Sequence, residues 1–132
     1  YDFGASISAG NFGLVGYYYE GEGLGTTIFG SNGVTAGGAE RDSDGGYVQA
    51  TYVIPTGTKL GVAYGVSNLD TASGETNATL IKENERWTVG AYHPLTKHLN
   101  LVAEYNSTES TGQTSSNSME NDTMSLGAIL FF

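Results

Sequence analysis

Apolar residues recur at every second position through most of this chain. From Thr123 to Phe132, one series is Met124, Leu126, Ala128, Leu130 and Phe132; the other is Thr123, Ser125, Gly127, Ile129 and Phe131. A period of two puts alternate side chains on opposite faces of a strand. The same alternation predicts a strand from Asp2 to Ala9, followed by the hairpin signal Gly10-Asn11. A return strand runs from Phe12 to about Glu22. Further strands are predicted at Tyr47 to Ile54, Lys59 to Asn68, Glu85 to Leu95 and Leu99 to Ser107. Short turns fall at Pro55-Thr56-Gly57-Thr58 and Thr96-Lys97-His98. Long polar stretches occupy roughly 23–45, 69–84 and 108–122.

These elements amount to seven strands, with no segment of helical period. The expected class is all-β, an antiparallel up-and-down meander. Its connections alternate strictly between short and long. Short turns at one end and long loops at the other mark a transmembrane β-barrel, with short turns periplasmic and long loops extracellular. A tilted strand of about 9–11 residues crosses a bilayer, and these have that length. Charge was not used in this assignment and agrees with it. Of the 14 acids, all but Glu104 fall in long loops or at the outer strand ends. Lys59, Lys97 and His98 fall at the short-turn end.

Composition narrows the function classes. A net charge of −9 with five scattered Lys and Arg residues argues against a nucleic-acid partner, because phosphate binding needs clustered bases. The chain has no Cys, hence no thiolate metal site or thiol nucleophile. Its serines have no accompanying His and Asp arrangement, so no catalytic constellation is expected. Asp42-Ser43-Asp44-Gly45 opens like a calcium loop but lacks the third ligand and closing Glu, and reads as a solvated acidic loop. His93 and His98 are isolated. No metal and no cofactor is expected.

Alternation does not say which face meets lipid. One face is rich in Gly, Ser, Thr, Gln and Asn, which suits a water-filled lumen. Expected pore-lining residues are Tyr17, Tyr19, Gln49, Thr51, Arg86, Tyr92, Asn100, Glu104 and Asn106. Glu104 is the one acid well inside a strand. It reads either as a wall charge tuning ion preference or as a structural partner of a neighbouring base. The other face places aromatics near strand ends, with Phe3, Tyr18, Trp87 and Tyr105 outward and Phe12, Tyr52 and Phe132 inward. That distribution is expected of lipid-facing girdles.

The stretch Phe12-Gly13-Leu14-Val15-Gly16-Tyr17-Tyr18-Tyr19-Glu20-Gly21-Glu22-Gly23-Leu24-Gly25 resembles the glycine-tyrosine hairpin of the Gram-negative general porin family. Lys59-Leu60-Gly61-Val62-Ala63-Tyr64-Gly65 and the terminal Phe132 resemble it too. The resemblance implies that residues 1–132 are the C-terminal portion of a single outer-membrane barrel domain of about 16 strands. It implies a homotrimer in contact with lipid and lipopolysaccharide. It also implies that Met124, Leu126, Ala128, Leu130 and Phe132 form the address read by the barrel-assembly machinery. Seven is an odd count, whereas bacterial single-chain barrels have even counts, so the N-terminal strands are expected outside this sequence. The family's constriction loop is expected in that missing half. The implied function is not enzymatic: passive diffusion of small hydrophilic solutes and ions, with a mild cation preference from the acidic rim. The alternatives are a barrel whose long loops serve as adhesin or phage receptor, and a soluble ligand-binding barrel.

Overall fold

The computed structural model describes residues 1–26, 32–76, 79–114 and 117–132. Seven strands form one open sheet in sequence order: β1 (Asp2–Ala9), β2 (Phe12–Glu22), β3 (Asp42–Val53), β4 (Lys59–Leu69), β5 (Ile81–Pro94), β6 (Leu99–Gly112) and β7 (Ser118–Leu130). Each is antiparallel to the next. There is no helix among the described residues. The all-β, up-and-down reading therefore holds.

Four strands extend further toward the long-loop end than hydropathy predicts. β3 starts at Asp42 rather than Tyr47, β5 at Ile81 rather than Glu85, and β7 at Ser118 rather than Thr123; β6 runs to Gly112 rather than Ser107. In these extensions polar groups pair across strands instead of alternating with apolar ones. Asn68 donates to Asp44 at 2.9 Å, and Ser110 donates to Asn84 at 2.6 Å. β3 is also admitted by backbone closeness. A Cβ on Gly46 would lie 2.3 Å from the Tyr17 carbonyl oxygen, and one on Gly45 would lie 2.5 Å from that of Val66. Only glycine fits between these neighbours.

The register sorts every strand onto two faces. One continuous cross-strand row is Leu14, Ala50, Val62, Val89, Tyr105 and Met124. A row on the opposite face is Gly13, Thr51, Gly61, Gly90, Glu104 and Ser125. The apolar face is bare: Val89 is 54% exposed, Trp87 53% and Leu126 77%. Soluble monomers rarely leave so continuous an apolar surface uncovered. The only buried apolar side chains among the described residues are Leu69, Ala72 and Leu80. They belong to the long-loop end, not to the body of the sheet.

Both edges of the sheet are exposed along their length. β1 and β7 are parallel to each other, because six antiparallel steps separate them.

Candidate functional site

The candidate site is the polar face. Its rows are built from small residues, so the large side chains among them lie along the sheet. Tyr92 is one: a Cβ on Gly90 would sit 2.8 Å from the Tyr92 hydroxyl. The ring occupies the space above Gly90, and its hydroxyl donates to Glu104 Oε1 on the neighbouring strand. Glu104 thus takes a tyrosine as partner. The expectation of a neighbouring base as partner is corrected, because the bases of this face, Lys59 and Arg86, pair with Val53 and Tyr92 and with Gly65 and Thr108 in the register. Neither makes an ion pair among the described residues; the ion pair found there is Arg41–Glu75.

Further along the same face, Thr88 donates to Asn106 at 2.7 Å, and Asn106 is buried. Gln49, Thr51, Gly61, Tyr92 and Asn100 line a concavity of about 610 Å³. Tyr17 donates to Asp2 at 2.8 Å, and its ring lies 5.9 Å from that of Tyr47. Tyr19 repeats the arrangement of Tyr92. It lies over Gly45, where a Cβ would meet its hydroxyl at 2.8 Å, and it hydrogen-bonds to Ser67. The residues Tyr17, Tyr19, Gln49, Thr51, Arg86, Tyr92, Asn100, Glu104 and Asn106 therefore share one face, though not one cluster.

On the apolar face, Phe12 and Tyr52 are direct cross-strand partners toward the short-turn end. Toward the long-loop end Phe3 stacks on Tyr18 at 5.6 Å, and Tyr64 on Trp87 at 4.6 Å. Tyrosines at that level donate to carboxylates beyond them: Tyr18 to Glu20 at 2.9 Å and Tyr64 to Glu85 at 2.6 Å. Tyr105 and Asp122 stand on this same face of neighbouring strands. Apart from Asp2 and Glu104, every strand carboxylate projects from this apolar face at its long-loop end. Glu85, Glu109 and Glu120 stand directly opposite one another across β5, β6 and β7. Met124, Leu126, Ala128 and Leu130 form the apolar side of the open edge β7, and Phe132 follows it, fully exposed.

The long-loop end is packed. Arg41 is 5% exposed and holds Glu75 with both Nε and Nη2. Its Nη1 donates to the carbonyls of Asn32 and Val34. Glu75 also accepts from the Ala72 amide at 3.2 Å. The guanidinium beside Glu75 holds that carboxyl below its usual range, and the carboxylate raises Arg41 further. Asp42-Ser43-Asp44-Gly45 is not a loop, which corrects that expectation. It is paired strand, with Asp42 and Asp44 on one face and Ser43 and Gly45 on the other, so it does not wrap a cation. Hydropathy gave no sign of Arg41, Glu75 or Ser43. The alternating glycines Gly21, Gly23 and Gly25 were the available hint of a chain reversal.

No protein-family model matches the chain, and neither does any curated protein or solved structure.

Proposed function

We propose that this chain is part of the wall of a transmembrane β-barrel, and that the barrel is an outer-membrane porin. Its apolar face meets lipid and its polar face lines a water-filled path. Small hydrophilic solutes and ions cross by passive diffusion, without catalysis. The observation that carries the reading is the two-sidedness of the sheet: a bare apolar face framed by aromatic rows, backed by a face of Gly, Ser, Thr, Asn and Gln. In water such a face is a liability, whereas in a bilayer it is the required exterior.

Two open edges are incompatible with hydrocarbon, where each unpaired backbone group costs several kcal/mol. Because β1 and β7 are parallel to each other, an all-antiparallel closure requires an odd number of further strands between them. The expected barrel of about 16 strands meets that parity. The polar face balances Lys59 and Arg86 against Asp2 and Glu104, so the proposed cation preference is mild and comes from loop acids such as Glu40 and Asp70.

The test is conductance of the complete protein in a planar lipid bilayer, with reversal potentials under a salt gradient. Stepwise ohmic conductance with weak cation preference that fades as salt is raised supports the proposal. A barrel that inserts but carries no current supports the adhesin or phage-receptor reading instead. A chain that stays in solution without detergent ends both.

A further inference from the structure

The connection after β2 does not rise away from the sheet. Gly23 and Gly25 have φ of 75° and 77°, left-handed values that side-chain-bearing residues rarely adopt. Between them the chain reverses and descends onto the polar face. The Gly25 amide donates to Ser43 Oγ on β3 at 3.1 Å. The Thr26 carbonyl accepts from Ser67 Oγ on β4 at 3.3 Å.

Register fixes how far down this is. Ser67 lies in one cross-strand row with Gly45 and Tyr19. Tyr19 is three residues before Glu22, where β2 ends. Thr26 therefore sits about 10 Å below the end of its own strand and about 10 Å sideways, at 3.3 Å per residue and 4.8 Å per strand. Ser43 is 2% exposed beneath this crossing. The Tyr19 hydroxyl bonds Ser67 from the other side, so Ser67 is held between the wall and the crossing chain. Beyond Thr26 a second hollow opens, lined by Gly65, Ser67, Arg86 and Thr108. The start of the loop is fixed from behind as well. The Gly23 amide donates to the Arg41 carbonyl at 2.9 Å, and the Arg41 side chain is clasped by Glu75.

We propose that the Gly23–Thr26 crossing is a fixed constriction on the polar face, and that it limits the size of solutes passing this part of the wall. The inference rests on the channel reading and adds to it an element from this chain that narrows the path. Its chemistry is a backbone ledge with hydroxyl supports and no formal charge, so it discriminates by width and not by sign.

The chain has no Cys of its own, so the test uses a complete protein with any cysteine elsewhere replaced. Thr26→Cys in the complete protein is treated with methanethiosulfonate reagents of increasing bulk during bilayer recording. Loss of open-channel current that deepens with reagent size is expected, while Val34→Cys, an exposed loop position, is unaffected. Current unchanged at Thr26→Cys overturns the inference. In parallel, Tyr19→Phe with Ser67→Ala is compared with wild type in liposome swelling, using uncharged sugars of graded size. Larger sugars are expected to gain relative to smaller ones, with the reversal potential unmoved. An unchanged size profile counts against the proposal, as does an equal gain for all sizes. If the wild-type protein passes no solute at all, it is the channel reading that fails; a permeable wild type with insensitive variants removes only the constriction.

Discussion

An arginine placed on either side of one strand tests the orientation of the sheet directly. Val62 and Ala63 are neighbours on β4, at the same depth and on opposite faces. Val62 stands between Ala50 and Val89 on the apolar face and is 41% exposed. Along its strand it falls between Leu60, the partner of Tyr52, and Tyr64, the partner of Trp87. That is the middle of the band framed by aromatics. Ala63 stands between Gln49 and Thr88 beside the 610 Å³ concavity, where an arginine has room. On the proposed orientation, Val62→Arg puts a guanidinium into the hydrocarbon, at a cost of about 2–4 kcal/mol. The folding constant then falls by about thirty- to several-hundredfold. Ala63→Arg should stay within about 0.5 kcal/mol, as for a surface substitution. Reversible urea unfolding in phospholipid vesicles, followed by Trp87 fluorescence, measures both. Equal costs, or a larger cost at Ala63, would refute the orientation. A sheet packed on its polar side predicts that reversed order, whereas a soluble sheet packed on its apolar side gives the same order but folds without lipid.

The remaining predictions concern single contacts. Gly46→Ala pushes a Cβ to 2.3 Å from the Tyr17 carbonyl and should lower stability by about 1–3 kcal/mol, read as a shift of the urea midpoint. Glu109→Gln relieves the row Glu85–Glu109–Glu120 and should raise stability by roughly 0.2–1 kcal/mol, a gain that shrinks in high salt. Because the Glu75 carboxyl is held below its ordinary range by Arg41, the clasp is fully formed above the unfolded-state value. It is lost as pH falls through the lowered one. The protection factors of the Thr35 and Arg41 amides, which correct for the intrinsic exchange rate, should therefore fall on acidification, and Glu75→Gln should remove that fall. Tyr92→Phe frees the Glu104 carboxylate from the wall. The cation-to-anion permeability ratio should rise in the wild-type background and stay put when Glu104→Gln is already present.

Period-two hydropathy located all seven strands because each has one apolar face over its central stretch. It failed at the long-loop end because neither face is apolar there. Asp42-Ser43-Asp44-Gly45-Gly46 has the composition of a loop, yet pairs on both sides. What admits it is the absence of side chains at Gly45 and Gly46 beneath Tyr17, Tyr19 and Val66, a tertiary fact that no local window contains. The polar face was legible as a set but not as contacts. That Glu104 meets Tyr92 and not a base depends on a ring lying across Gly90. The clasp of Arg41 on Glu75 joins residues 34 positions apart in stretches that read only as polar. Charge placement by end was legible as well, whereas its restriction to one face emerged only once the strand extensions had set the register.

That restriction has a mechanical consequence. On the greasy side, a tier of rings is topped by a tier of carboxylates, with the Tyr18 and Tyr64 hydroxyls bonded to the acids above them. Pushed deeper into a bilayer, the sheet drags anionic oxygens into oil; pulled outward, it lifts rings and aliphatic groups into water. In the proposed membrane barrel both displacements would meet a restoring force, and the collar would work as a float line that sets how high the wall rides.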